Sequence, residues 1–192
     1  MSNLKVVFEE AVAKIERAGI DELLTWLEKG DFYSAPASSM HHGNYAGGLL
    51  DHSVHVYEEL RELCDFYCPD KYSEESIAIV ALFHDLCKVN YYAESTRNVK
   101  DERTGQWHKV PFYKVQEQLP MGGHGSKSMF IAMYHMQLTD VEASAINCHM
   151  GPWDKQDYGN PGAVYQQNEL AWLLHVADER ATYYRDEEVK TC

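Results

Sequence analysis

The chain has 192 residues, 45% of them hydrophobic, which is enough for one domain whose core needs neither disulfides nor a structural metal. Its 30 acidic and 17 basic residues give a formal net charge of −13, so we expect no long nucleic acid as a ligand, because such ligands require basic surfaces. No apolar run reaches the ~18 residues of a membrane span and no signal peptide is visible, so we expect a single cytoplasmic domain over residues 1–192 with no membrane partner.

Helical periodicity begins close to the N-terminus. Apolar residues recur every three or four positions over residues 4–29, and Gly19 is expected to interrupt the pattern. Asp21 is the predicted N-cap of the second segment, and Gly30 is its predicted end. We therefore predict that residues 1–34 form an N-terminal helical extension.

Two further helices and a hairpin are predicted in the middle of the chain. The first of these helices covers residues 48–66, and the next is capped by Ser73 and runs toward Lys88. Residues 91–119 are rich in β-branched and aromatic side chains around a charged turn, which predicts an inserted two-stranded hairpin. Pro111 indicates an edge position, because proline cannot donate a hydrogen bond to a ladder.

The last third of the chain returns to helical patterns. One helix is predicted over residues 126–137. Thr139 and Glu142 have the spacing of a capping box, which predicts a helix that ends near His149. The remaining predictions are a loop over residues 151–162 and a last helix over residues 168–184. The expected fold class is therefore mainly α with a small inserted β-hairpin.

The distribution of the ten histidines points to a metal site. Several histidines and two aspartates fall at predicted helix ends or on helix faces, where a bundle can bring ligands from different helices together. Neutral imidazoles combined with carboxylates suit a first-row divalent ion. The five cysteines form no Cys-x-x-Cys pair, so reduced thiols are expected. The candidate ligands are His52, His84, Asp85, His124, His149 and Asp178.

Two of these candidates, His84 and Asp85, are neighbours in the sequence. Adjacent residues of a regular helix point about 100° apart, so both can face one site only where the helix is distorted. We therefore expect the helix that Ser73 caps to end in a distorted turn at this pair, just before Leu86-Cys87-Lys88.

The spacing of these residues resembles the HD-domain phosphohydrolase superfamily, in which four such ligands hold a divalent metal within a helical bundle. The matching segments are Pro36-Ala37 with His41-His42 and Gly47-Gly48-Leu49-Leu50-Asp51-His52, then His84-Asp85-Leu86-Cys87-Lys88, and finally Leu174-His175-Val176-Ala177-Asp178. The resemblance implies an HD-domain helical bundle in which the metal ligands are His52, His84, Asp85 and Asp178.

Two further histidines resemble those of a subset of the family. Gly123-His124-Gly125 and Asn147-Cys148-His149 are similar to the HD domain of YhaM-type 3′-5′ exoribonucleases, the nearest group, and to HD-GYP cyclic-dinucleotide phosphodiesterases. The similarity implies that these two histidines hold a second ion, with Asp85 bridging the pair. The sequence contains neither the N-terminal OB-fold of the first group nor the Gly-Tyr-Pro tripeptide of the second, so the substrate stays open.

The resemblance implies a metal-dependent phosphohydrolase or phosphodiesterase. One or two divalent ions of Mn, Fe, Ni, Co, Zn or Mg would activate a water molecule, with Asp85 and Lys88 as the catalytic side chains. A small phosphorylated substrate, such as a nucleotide or a short oligonucleotide, agrees with the acidic composition. The two aromatic candidates for substrate binding could stack on a base. The substrate-binding candidates are His42, Lys88, Lys127, Trp153 and Tyr158.

Four other histidines are expected to take no part in the chemistry. His175 lies one helical turn before Asp178 and is expected to support that ligand. The others, His55, His108 and His135, are expected to be surface or packing residues. The locally basic hairpin fits either an ordinary solvated surface or a lid over an anionic substrate.

Three alternatives stay open at this point. A short-RNA 3′-5′ exoribonuclease would use the same ligands on a longer substrate. A non-catalytic nucleotide-binding module would hold its ligand without turnover and signal to a partner. A structural metal site would have a closed ligand shell with no position for water.

Overall fold

The computed structural model describes residues 3–116, 122–153 and 161–187. Within these ranges the chain forms eight α-helices and one antiparallel pair of strands. The predicted mainly-α class with an inserted β-hairpin is therefore confirmed. The predicted hairpin residues 117–119 lie outside the described ranges.

The elements follow one another with short connections. The helices are α1 (Asn3–Val12), α2 (Ile20–Lys29), α3 (Gly48–Tyr67), α4 (Glu74–Phe83), α5 (His124–His135), α6 (Asp140–Cys148), α7 (Pro161–Gln167) and α8 (Glu169–Arg180). The two strands lie between α4 and α5 and are β1 (Tyr92–Lys100) and β2 (Trp107–Val115). Single 3-10 turns cover Leu86–Lys88 and Gly151–Trp153, and a π-helical turn covers Ala181–Arg185.

The centre of the bundle is α4, whose seven residues from Ile77 to Phe83 are all buried. A helix that is apolar on every side can only be stable when other helices surround it. It packs mainly against α3 and α6 and also contacts α1, and α8 packs against both α3 and α6. The predicted cap is confirmed, since the Ser73 hydroxyl accepts a hydrogen bond from the backbone amide of Ser76 at 3.1 Å.

The start of α2 differs from its prediction. The helix begins at Ile20 after Gly19, which takes the left-handed backbone conformation at φ 95°, so Asp21 is not the N-cap. A Cβ atom on Gly19 would lie 1.8 Å from the carbonyl oxygen of His135, so glycine is required by close packing as well. Asp21 lies in the first helical turn instead, where its charge complements the helix dipole.

Three boundaries in the last third also differ from the prediction. The helix α5 begins at His124, two residues earlier than expected. The expected loop over residues 151–162 contains a 3-10 turn and, at Pro161, the first residue of α7, a position that proline favours. The last helix ends as an α-helix at Arg180, because its hydrogen-bond pattern widens into the π-helical turn.

The hairpin was predicted correctly, including its charged turn. Tyr92 pairs with Val115 at one end and Lys100 with Trp107 at the other. Pro111 lies opposite Thr96, and in a two-stranded sheet both strands are edges, so proline is tolerated there.

No helix within the described ranges combines the length and the apolar character needed to cross a bilayer. The longest helix in these ranges is α3, and its 20 residues include the charged Asp51, Glu58 and Arg61.

One buried carboxylate, that of Glu142, ties the N-terminal segment to the bundle. Arg17 donates to both of its oxygens, and the Ser76 hydroxyl donates to one of them at 2.7 Å. The predicted capping box with Thr139 is confirmed, because the Thr139 amide donates to Glu142 at 2.8 Å and the reciprocal bond is present. Burial raises the pKa of Glu142, but the hydrogen bonds from these partners, above all that from Arg17, outweigh burial and leave the pKa below its ordinary value.

We expect Glu142→Gln to lower the free energy of unfolding near neutral pH by about 1.5–3 kcal/mol, the range for hydrogen bonds to charged groups. Because the folded-state pKa is lowered, this stabilisation exists above the ordinary glutamate pKa and is lost as the pH falls through the folded-state value. Urea unfolding at several pH values from about 7 down to about 3 measures the difference.

The matched control is Glu102→Gln, which removes an exposed carboxylate from the hairpin turn. The control should change the free energy of unfolding by less than about 0.5 kcal/mol. A Glu142→Gln deficit that stays constant over the whole pH range would contradict the assigned role of the carboxylate.

Candidate metal centre

Five predicted ligands converge where α3, α4, α6 and α8 meet. The Nε2 atom of His52 lies 3.2 Å from Nε2 of His84 and 3.2 Å from Oδ1 of Asp178. Asp85 Oδ2 lies 3.5 Å from His52 Nε2 and 3.4 Å from His84 Nε2, while Asp85 Oδ1 lies 3.6 Å from His149 Nε2. These five residues, His52, His84, Asp85, His149 and Asp178, are called the His/Asp cluster below.

The end of α4 explains how two adjacent residues reach one site. The helix ends at Phe83, and Asp85 leaves helical geometry with φ −113° and ψ 25° before the 3-10 turn begins at Leu86. The predicted distortion at this pair is therefore confirmed. Its consequence is that the His84 ring and the Asp85 carboxylate point into the same buried space.

The ring orientations of His84 and His149 are set by backbone carbonyls. Nδ1 of His84 donates to the carbonyl of Ala81, and Nδ1 of His149 donates to that of Ile146, each at 2.7 Å. A carbonyl oxygen can only accept, so the proton in each bond belongs to Nδ1. The Nε2 atom of each ring is thereby directed into the cluster as a potential metal ligand.

Two buried polar atoms of the cluster have no hydrogen-bond partner among the residues that the structure describes. They are Oδ1 of Asp85 and Nε2 of His149, which face each other. A buried polar group without a partner costs about 1–3 kcal/mol. A cation between them would compensate both, and ligands about 2.1 Å from one ion lie about 3.0–3.4 Å apart, close to the spacing seen here. The donor set therefore fits a divalent ion.

The charged groups of the cluster shift one another's pKa values. Burial raises the pKa of Asp85, but Lys88, whose Nζ lies 2.6 Å from Oδ2, and the neighbouring imidazoles hold it well below its ordinary value. Burial lowers the pKa of His52, but the carboxylates of Asp178 and Asp186 raise it to about 10. The cluster without an ion therefore holds carboxylates that are ionised at neutral pH.

The carboxylate of Asp186 was missed by the sequence analysis. It is 1% exposed, and its oxygens lie 2.7 Å from Nδ1 of His52 and 2.7 Å from Nδ1 of His55. His55, which was expected to be a surface or packing residue, is half-buried and hydrogen-bonds to this carboxylate. The three-residue spacing of the two histidines on α3 is a signal that both share a face, but nothing in the sequence points to Asp186.

The role expected for His175 also needs correction. Its Nδ1 donates to the backbone carbonyl of His149 at 2.7 Å, and its ring stacks on Tyr165 with centroids 5.7 Å apart. His175 therefore supports the ligand His149 rather than Asp178.

His124 lies beside the cluster rather than within it. As the first residue of α5 it brings Nδ1 to 3.4 Å from the thiol sulfur of Cys87. Ligand atoms of Asp85, Cys87 and His124 lie within 4.8 Å of one another, so a second set of donors shares Asp85 with the first. Cys87 was not predicted, and burial raises the pKa of its thiol to about 12.

The cluster lies at the base of an open cleft of about 670 Å³. Asp85, Lys88 and Asp178 line its floor, and Trp153 and Tyr183 line it while being 66% and 68% exposed. The predicted ligand His124, which lies next to the Cys87 thiol, and the predicted substrate contact His42 also line the cleft. These six predicted residues, Asp85, Asp178, Lys88, Trp153, His124 and His42, thus line one cleft.

The remaining predicted substrate contacts differ in their outcome. Lys127 is not among the described residues that line the cleft, and its Nζ lies 5.7 Å from the centroid of the Tyr91 ring. Tyr158 lies outside the described residues. His42 lines the cleft with a buried Nε2 that has no partner in the described part of the chain, and burial, aided by His52 and Lys88, lowers its pKa to about 4.

A scan of protein-family models and searches of curated proteins and of solved structures returned no match to this chain. The chemistry of the His/Asp cluster and of the cleft therefore carries the functional inference. Three features bear on the function of the cluster. Two of its buried ligand atoms have no hydrogen-bond partner among the described residues, its side chains are imidazoles and carboxylates, and an open cleft gives access to it.

We expect the purified protein to bind a divalent ion and His84→Ala to weaken that binding by more than about 100-fold, because even changes outside the ligand shell cost 10–100-fold. Competition with a chelator and elemental analysis after dialysis measure the effect. His108→Ala, on the exposed surface of β2, is the control and should leave the metal content unchanged. Equal metal content in both variants, with folding intact by circular dichroism, would rule out the cluster as the binding site.

Proposed function

We propose that this chain is an HD-type metal-dependent phosphohydrolase that acts on a nucleotide or a short oligonucleotide. The observation that supports it most directly is the convergence of the His/Asp cluster at the floor of an open cleft. The motifs that resemble the HD superfamily supply the same residues, so the resemblance and the geometry agree.

The His/Asp cluster would hold the ion, with one of Mn, Fe, Ni, Co, Zn or Mg as the candidate metals. A second ion would use the ligand atoms of Asp85, Cys87 and His124. The resemblance had paired His124 with His149 around that ion, whereas here His149 groups with His84 and Asp178. When bound, such an ion supplies a water nucleophile near neutral pH and positive charge for the phosphoryl oxygens.

Lys88 is the side chain best placed to contact a phosphate. It lines the cleft although it is only 7% exposed, and the ion pair with Asp85 outweighs the effect of burial, so its pKa is raised. A lysine that stays charged beside the cluster can stabilise negative charge that develops on the phosphoryl group. Asp85 stays ionised for the same reason and can orient a proton donor or a cation.

The rim of the cleft suits a nucleobase. Trp153 and Tyr183 both line the cleft and both expose more than half of their surface. Stacking of a base on an aromatic side chain contributes about 1–3 kcal/mol in single-strand binders. Tyr183 takes a role that the sequence analysis had assigned to Trp153 and Tyr158 alone.

The open cleft favours an enzyme over a structural metal site. Structural sites are closed by protein ligands on all sides, whereas Asp85 and Asp178 of the cluster face the cleft. A non-catalytic module would share this geometry, and it is distinguished by bound metal and tight nucleotide binding without product.

We expect hydrolysis of a phosphodiester or a nucleotide in the presence of Mn²⁺, and no hydrolysis after His84→Ala combined with Asp85→Ala. Lys88→Met should reduce kcat by about 10²–10³-fold, the loss seen when one donor to a transition-state oxyanion is removed, while the ion still binds. A panel of nucleotides and short oligonucleotides measures the turnover. Lys71→Met, which removes a surface lysine that pairs with Glu169, is the control. If the variant with both His84→Ala and Asp85→Ala still hydrolyses the substrate, the proposed function is wrong.

The exposed face of the hairpin favours the second candidate, an exoribonuclease that acts on short RNA. From the start of β1 to the end of β2, residues 92–115, the hairpin carries five basic and three acidic residues, opposite in sign to the chain as a whole. Cross-strand partners share a face, so Lys100, Trp107 and Lys109 lie together on exposed surface, and Trp107 is 67% exposed. Lysines beside an aromatic ring are typical of single-strand binding surfaces. Tyr92, at the base of the same hairpin, lines the cleft.

If the hairpin binds a strand, Lys100→Glu with Lys109→Glu should weaken binding of a fluorescent single-stranded oligonucleotide and leave mononucleotide turnover unchanged. The slope of log K against log salt should fall by about 1.4, since each phosphate contact contributes about 0.7 for single strands. Fluorescence anisotropy at several salt concentrations measures both. The charge-matched control is Lys5→Glu with Lys71→Glu, which lie on α1 and in the connection between α3 and α4. Equal losses in the two pairs would leave only nonspecific electrostatics and exclude the strand-binding role.

A further inference from the structure

The ligand His52 differs from the other two imidazoles of the cluster in how it is held. His84 and His149 follow directly after the last residues of α4 and α6, where terminal carbonyls lack helical partners and can accept from Nδ1. His52 lies near the start of α3, which begins at Gly48, so the carbonyls around it serve the helix itself. Its ring therefore needs a partner from elsewhere in the chain.

We infer that Asp186 is a positioning residue that fixes the tautomer and the orientation of His52 as a metal ligand, an inference that rests on the metal site of the proposed function. Oδ2 of Asp186 lies 2.7 Å from Nδ1 of His52, and both side chains are buried. A carboxylate in this position accepts a hydrogen bond from the Nδ1–H group, which leaves the lone pair of Nε2 for an ion. Nε2 points to Asp178, Asp85 and His84, which are the other ligands.

The position of Asp186 depends on the turn that follows α8. The helix widens into the π-helical turn Ala181–Arg185, and the amide of Asp186 donates to the carbonyl of Ala181 at 2.9 Å to close it. Isolated π-turns occur frequently at functional sites, because the extra residue redirects the side chains that follow. Here the turn brings Asp178 and Asp186 to the two nitrogens of a single imidazole.

Three contacts outside the cluster hold this segment in place. Arg185 pairs with Glu58 and, at 3.2 Å, with Glu59 on α3. The second carboxylate oxygen of Asp186 accepts from His55 at 2.7 Å. The carbonyl of Glu187 accepts from the amide of Gly43 at 2.8 Å. With both oxygens engaged and the backbone fixed on two sides, the carboxylate has one orientation, as a ligand-orienting group requires.

The test measures metal affinity and the state of the His52 ring in the full chain. Asp186→Ala should weaken Zn²⁺ and Mn²⁺ binding by about 10–100-fold, the usual effect of losing the partner of a ligating histidine. In the Zn²⁺-loaded protein, nitrogen NMR should show the His52 Nδ1–H signal of the wild type changed or lost in the variant. The more conservative Asp186→Asn keeps an acceptor oxygen of the same shape and should lose less affinity than alanine.

The matched control is Asp51→Ala, which removes a carboxylate from the residue next to His52. That carboxylate accepts from Tyr45 at 3.1 Å, and it has no part in the His52 ring contacts. The control should keep both the metal affinity and the His52 nitrogen signals of the wild type. This comparison separates the orientation of one ring from a general loss of negative charge.

Each outcome has a definite reading. Wild-type affinity in folded Asp186→Ala, or an equal loss in Asp51→Ala with His52 signals unchanged, would overturn the positioning role while leaving the proposed function intact. If Asp186→Ala does not fold, Asp186→Leu, which removes both acceptor oxygens and keeps the side-chain volume, decides, and wild-type affinity in that variant overturns the inference. A wild-type chain that binds no divalent ion would overturn the proposed function and this inference together.

Discussion

The burial of one carboxylate, that of Asp85, is the constraint on which the rest of the structure depends. It is 3% exposed, and an ionised carboxylate taken out of water loses several kcal/mol of hydration unless nearby charges and hydrogen bonds replace it. Lys88 provides the closest positive charge at 2.6 Å, and the imidazoles of His84 and His149 flank the two oxygens. His84 and Lys88 adjoin Asp85 at the end of α4, whereas His149 follows α6 and His52, at 3.5 Å, belongs to α3, so these three helices must meet at this point. The apolar α4 makes that possible by lying at the centre of the bundle.

Helix ends orient most of the cluster. The last carbonyls of a helix lack partners within it, and two of the three cluster histidines use such a carbonyl to fix one ring nitrogen. Only at an end can adjacent residues such as His84 and Asp85 face the same space. His52 lies near a helix start instead, and its partner Asp186 lies 134 residues further along the chain. The C-terminal turn is therefore part of the site rather than an addition to it.

A net charge of −13 would be expected to repel an anionic substrate, yet the geometry supports a phosphate ligand. At physiological ionic strength, charges more than about 8 Å apart are largely screened, so the local charges decide binding. Inside the cleft these are Lys88, the carboxylates of Asp85, Asp178, Glu179 and Asp186, and the proposed ion, so binding of a phosphate there depends on the charge of the ion. Surface acidity elsewhere then limits nonspecific binding of long nucleic acids more than it limits binding in the cleft.

The sequence by itself determined the helical class, the hairpin and the capping box of Thr139 with Glu142, because periodicity, turn residues and caps depend on neighbouring residues. It also identified His52, His84, Asp85, His149 and Asp178, which the structure brings together. Only the tertiary structure revealed the contacts of Asp186 and Cys87 and the place of Tyr183 in the cleft. It also showed that His175 contacts His149 and that Gly19 packs against His135. These features are pairings between distant segments, and packing of the whole bundle decides them, because no local pattern records which carbonyl, thiol or carboxylate a side chain will face.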